Sequence, residues 1–198
     1  MSPLRVEAAF ELAPQWASIE QIVEAHAPDG VRLDLGCGYV KPQGFIGIDN
    51  LVGERTQVVD ETNAPDILMD LNSFPLPFPD SSCTEVRSSH FLEHSVLDHV
   101  IDESYRVLRP GGLFLFTVPY ANSAEGMYPG HSVFLTEKWF HENPNFGQKF
   151  EILEERFDPS DDYQRLPWLV RKLLPFDKAR TFLFNACWQM TISARPRK

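Results

Sequence analysis

Residues 32–50 read RLDLGCGYVKPQGFIGIDN, and only the five residues YVKPQ separate Gly38 from Gly44. On either side lie short apolar runs, VRLDL (31–35) and FIGI (45–48), each with the length and bounding glycines of a buried strand. Parallel neighbours usually need a crossover of a dozen or more residues. A link this short therefore leaves room for one helical turn at most between the first two strands. The first strand runs into a glycine elbow, Gly36 and Gly38, and the second ends on an acid, Asp49, with Asn50 beside it.

The rest of the chain extends the same plan. DILMDL (66–71) and CTEVRSS (83–89) read as a third and a fourth strand, and the three prolines of NSFPLPFPDSS between them forbid regular structure. Leu97, Val100, Ile101, Ser104, Val107 and Leu108 repeat every three or four residues, which predicts an amphipathic helix. Ser95 and Asp98 before it have capping-box spacing. Pro110-Gly111-Gly112 closes it, and LFLFTVP follows as a fifth strand. Such alternation predicts an α/β fold with a doubly wound parallel sheet. Upstream, Trp16, Ile19, Ile22 and Val23 give residues 1–30 a helical segment stopped at Pro28-Asp29-Gly30.

Beyond Pro119 the pattern loosens. KFEILEERF and ACWQMTISAR read as strands, TEKWFHEN as a short helix capped by Thr136, and DYQRLPWLVRKLLPF as a helix-rich excursion broken at Pro167 and Pro175. The reading is one domain over 1–198, with 120–148 and 158–184 as elaborations above a site. A net charge of −10 disfavours nucleic acid as a partner. Three scattered cysteines and the absence of an apolar leader point to a reducing, cytoplasmic setting without a membrane span; self-association is left open.

In an open α/β sheet, ligands sit beyond the carboxyl ends of the strands where the strand order reverses. Gly36 and Gly38 fall there, and an acid at position 49 suits a ribose diol. GCGYVKPQG does not complete the G-x-G-x-x-G dinucleotide pattern, and the chain has no G-x-x-x-x-G-K-[ST] phosphate loop.

Five motifs in order, LDLGCG (33–38), GIDN (47–50), DILMDLNSFPLPFPDSS (66–82), SSHFLEH (88–94) and RVLRPGGLFLFTVP (106–119), resemble the class I S-adenosylmethionine-dependent methyltransferases. The small-molecule type 11 subgroup is the nearest in kind, and within it members associated with polysaccharide and glycoside biosynthesis. The resemblance implies a Rossmann-like sheet of seven strands, order 3-2-1-4-5-7-6, with the last strand antiparallel and, here, a shortened first crossover. It implies that Asp34, Gly36 and Gly38 hold the methionine part of the cofactor and that Asp49, with Asn50, takes the ribose. Asp70 would accept from the adenine amino group with Leu71 against the ring, and Ser88 would lie near the methionine end. Without a first helix, the cofactor carboxylate lacks a helix N-terminus, and Lys41 is the candidate replacement charge.

Methyl transfer to an alcohol needs a proton acceptor, and imidazole suits that role. His131 and His90 are the candidate bases; His94 is the third histidine in that region. The resemblance extends to sugar O-methyltransferases that use Mg²⁺ to bind and acidify a vicinal diol, which would make Glu93, His94 and nearby aspartates its ligands here, although no spacing demands a metal. Cys37 reads as a space-filler. Trp139, Phe140, Tyr120 and Tyr128 are aromatic enough to stack on an acceptor ring. The expected activity is O-methylation of a sugar or oligosaccharide hydroxyl. The alternatives are N- or C-methylation of another metabolite, a non-catalytic cofactor-binding regulator, and a dehydrogenase on the same sheet.

Overall fold

The structure is a computed structural model and describes residues 10–26, 30–50 and 64–198. In chain order the elements are β1 (Glu11–Leu12), α1 (Ile19–His26), β2 (Val31–Leu35), β3 (Ile46–Asp49), β4 (Ile67–Leu68) and β5 (Cys83–Ser89). A 3-10 turn (Leu92–His94), α2 (Leu97–Val107), β6 (Leu108–Pro119), α3 (Glu137–Glu142) and α4 (Pro144–Lys149) come next. The chain then forms β7 (Phe150–Pro159), α5 (Asp161–Gln164), α6 (Trp168–Leu173), α7 (Phe176–Phe182) and β8 (Cys187–Pro196).

The strands form one sheet in the order β1-β4-β3-β2-β5-β6-β8-β7. Without β1 this is the expected 3-2-1-4-5-7-6, with β8 antiparallel to both of its neighbours. The eighth strand is a correction. Residues 11–12 lie inside the segment expected to be helical, yet they pair antiparallel with β4 and finish that edge. The helix there is shorter than expected, Ile19–His26, and the Pro28-Asp29 stop lies outside the described residues.

Two-residue alternation sorts the strands into two faces. Leu33, Leu35, Ile46, Ile48, Val86, Phe114 and Phe116 share one face by register and are buried. Helices α2 to α4 cover it, with the Phe116 ring 4.9 Å from Phe140 and Phe146 5.2 Å from Phe150. The other face carries Gly47, Asp34, Arg87, Leu115 and Ser193 in one row across the sheet. Over β6 and β8 this face stays partly exposed, and Leu115, Thr191, Ser193, Glu154 and Arg156 line a shallow trough there.

The capping box does not form. Ser95 Oγ instead donates to Leu92 O, and the backbone N–H of Val96 before α2 donates to Asn72 Oδ1 at 2.6 Å. A distant side chain thus does the work expected of a local one. Likewise Thr136 precedes α3 without a side-chain cap. No described helix is long and apolar enough to cross a membrane.

Candidate active site

No helix lies between β2 and β3; the link is a pair of turns closed by Val40 N–H to Cys37 O and Phe45 N–H to Pro42 O. Gly36 has φ +67° and donates its N–H to Ile48 O, so the elbow bends back over β3. A Cβ on Gly36 would stand 2.3 Å from Phe91 Cγ, so only glycine admits that ring. Gly38, with φ +53°, donates its N–H to Asp49 Oδ2 at 2.8 Å, which ties the elbow to the acid ending β3.

Lys41 does not serve as a replacement charge for a cofactor carboxylate. Its Nζ pairs with Asp66 Oδ2 at 2.6 Å. The same carboxylate accepts the Gly47 N–H at 2.9 Å and, through Oδ1, Trp16 Nε1 at 3.1 Å. Cys37 is buried, and burial pushes its thiol pKa far up, so it is a filler and not a nucleophile.

Beyond the strand ends opens a cleft of about 360 Å³, lined by Gly36, Asp49, Asn50, Met69, Asp70, Leu71, Asn72, His90, Phe91 and His94. Asp70 Oδ1 accepts the Asn72 N–H, and the Ser73 hydroxyl on Oδ2 holds its carboxyl below the usual range. Asp34, Gly38 and Ser88 are not part of this lining. Asp34 is buried on the opposite row, where one Nη1 of Arg87 stands 2.9 Å from both carboxylate oxygens. Burial pushes its pKa up to about 6 in spite of Arg87. Ser88 is buried on the helix-covered face with no hydrogen bond to its Oγ.

His90 and His94 line the cleft, and His131 stands beside His94. His90 follows β5 with φ +55°, an uncommon value for a non-glycine residue, and stacks on Trp188 at 5.8 Å. Its Nε2 lies 2.9 Å from Gln189 Oε1, while Gln189 Nε2 donates to Asp158 Oδ2 at 2.7 Å. This network assigns the proton to His90 Nε2 and leaves the lone pair on Nδ1. That Nδ1 faces Glu93 Oε1 at 3.6 Å. Glu93 is buried, and burial pushes its carboxyl up to about 7. The backbone carbonyl of Glu93 takes N–H bonds from Ser132 and Val133 and the Ser132 hydroxyl, which fastens the loop after β6 to the 3-10 turn. So fastened, His131 stacks edge-on to His94 at 4.7 Å. Each imidazole has Nδ1 on a backbone carbonyl, His94 on Gly130 and His131 on Gly126.

Met69, Asn72 and Phe91 in the cleft, and Gln189 and Asp158 behind His90, escaped the sequence reading. The first three sit inside quoted motifs; the last two come from the antiparallel pair β7–β8, and no local pattern points to them. Of the aromatic candidates, Phe140 and Tyr120 are core residues, whereas Tyr128 is exposed 5.8 Å from His131.

Residues 33–116 match the family described as a methyltransferase domain. No curated protein sequence matches the chain significantly. Among solved structures, it is similar to a SAM-dependent methyltransferase from Archaeoglobus fulgidus, with TM-score 0.59 and 17% identity over 89% of this chain and 92% of that one. It is also similar to geranyl diphosphate C-methyltransferase from Streptomyces coelicolor, solved with Mg²⁺, geranyl diphosphate and S-adenosyl-L-homocysteine (TM-score 0.53, 12% identity, 88% and 75% covered). A third is the methyltransferase complex with the Trm112 activator from Haloferax volcanii (TM-score 0.51, 15% identity, 89% and 91% covered). The solved structures share the Rossmann-like fold, and residues 33–116 within it carry the match to a methyltransferase domain.

Proposed function

We propose that the chain methylates a hydroxyl of a small polar acceptor, a sugar or oligosaccharide, and that His90 takes the hydroxyl proton. The observation that carries this reading is the Asp158–Gln189–His90 relay, which fixes one tautomer and leaves His90 Nδ1 as an acceptor on a cleft-lining residue. When bound, S-adenosylmethionine supplies an electrophilic methyl group. The cleft fits such a donor: Asp49 suits the ribose diol, Asp70 the adenine amine, and Met69, Leu71 and Phe91 the ring, with Gly36 and Asn50 at the floor. Asp34 supports this site from behind the sheet, through its pair with Arg87. On the acceptor side, exposed Met127, Tyr128 and Phe134 offer flat and apolar faces for a sugar ring.

Asp49→Ala is expected to weaken S-adenosylmethionine binding by about 1.5–3 kcal/mol, the worth of a hydrogen bond to a charged acceptor. Calorimetry on the folded variant measures it, and unchanged affinity would move the ribose elsewhere. The acceptor is tested by methyl transfer from labelled cofactor onto sugars, oligosaccharides and phenols, with amines alongside. Transfer to sugar hydroxyls is expected; transfer to amines alone would overturn the oxygen reading.

A further inference from the structure

We propose that Glu93, His94 and His131 form a binding site for one divalent first-row transition-metal ion at the acceptor end of the cleft. Each residue offers a ligand atom, and the three atoms lie within 4.8 Å of one another. Metal–ligand bonds of about 2.0–2.2 Å at tetrahedral angles place ligand atoms about 3.3–3.6 Å apart, so side-chain rotations that bring the groups about 1 Å closer complete the set.

A second observation comes from Glu93 itself. Its side chain is 3% exposed, and neither carboxylate oxygen has a hydrogen-bond partner. His90 Nδ1 stands 3.6 Å from Oε1, beyond hydrogen-bond reach, and Glu125 adds a second carboxylate to the neighbourhood. A buried, unbonded carboxylate is costly, and a cation beside it removes that cost. The imidazoles are prepared in the same sense. With Nδ1 donating to Gly130 O and Gly126 O, each ring keeps its Nε2 lone pair for a ligand, the outer arrangement seen around metal-bound histidines. The carbonyl of Glu93 fastens Ser132 and Val133, so His131 is held in place before any ion arrives.

Two imidazoles and one carboxylate suit Mn²⁺, Co²⁺ or Zn²⁺ better than Mg²⁺, which prefers oxygen ligands and keeps its waters. His94 also lines the cleft. An ion held there would have open positions for acceptor oxygens and would lower the pKa of a bound hydroxyl. That role rests on the proposed acceptor reading; the existence of the site does not.

The test is a titration of the untagged, chelator-stripped full chain with Co²⁺, followed by visible absorption and calorimetry, with neither methyl donor nor acceptor present. One equivalent is expected to bind with a visible ligand-field band. Zn²⁺ should bleach that band, and millimolar Mg²⁺ should leave it intact. His94→Ala, His131→Ala and Glu93→Gln should each weaken Co²⁺ at least about tenfold, while His99→Ala and His141→Ala, outside the cluster, should not. Thermal unfolding of the stripped variants shows whether each remains folded, and His94→Ala alters an exposed side chain. Absence of stoichiometric binding, or equal binding by His94→Ala and His131→Ala, would overturn the site. Failure of the sugar-methylation reading would leave this titration unaffected.

Discussion

Arg87→Met is expected to cost up to about 2.7 kcal/mol more stability at pH 8 than at pH 4, because it strands a buried carboxylate whose escape at pH 8 is to take up a proton. Asp34 is 1% exposed, and the charge facing it within hydrogen-bond reach is Arg87 Nη1. Burial already raises the folded-state pKa of Asp34 to about 6 from its ordinary value of 3.8. Between those values the folded chain binds more protons than the unfolded one, so the contribution of Asp34 to stability falls as pH rises through that window. Removing Arg87 raises the folded pKa further and widens the window. Below the unfolded pKa the acid is neutral in both states, and only the packing of the arginine stem is lost. Urea unfolding at the two pH values measures the difference, and adding Asp34→Asn should recover part of the loss at pH 8. An equal cost at both pH values would mean that the pair is energetically idle.

His90→Ala is expected to slow methyl transfer about 10²–10⁴-fold while S-adenosylmethionine affinity changes only a few-fold. The first half follows from the proton the acceptor must lose, the second from the carboxylates Asp49 and Asp70, which remain in the cleft. Gln189→Leu probes the relay behind the ring. It should lower the turnover number with little change in affinity, since it releases the tautomer without removing the imidazole. Full turnover in His90→Ala, measured with saturating cofactor, would transfer the proton-accepting role to another group of the cleft.

Much of this architecture is legible along the chain. The limits of β2 and β5 and the body of α2 follow from alternation and helical spacing alone, because those segments bury a continuous stripe. The missing first helix is equally readable, since five residues cannot form one and return. What escapes is whatever depends on a partner far along the chain. β1 is two residues long and exists only because β4 has an edge to finish. Val96 is capped from Asn72, 24 positions away, so the nearby Ser95 turns to Leu92 instead. The sequence around Lys41 and Asp34 says what charge is there but not what answers it; Asp66, just before β4, and Arg87, in β5, answer. Gln189 shares no pattern with the histidine that it orients.

Asp66 collects three segments on one carboxylate: Trp16 from the N-terminal stretch, Lys41 from the short crossover and the Gly47 amide from β3. Where a full helix would have shielded the elbow by its own bulk, a single side chain couples pieces that are separate in sequence. Such coupling sets the grain of local opening. The β3 amides, the elbow and the indole of Trp16 should exchange with solvent deuterium as one cooperative unit, slower than a bare loop and faster than β5 and β6. The floor of the cleft would then breathe only when the start of the chain lets go, so ligand entry at the elbow and detachment of the first described residues become two readings of a single opening event.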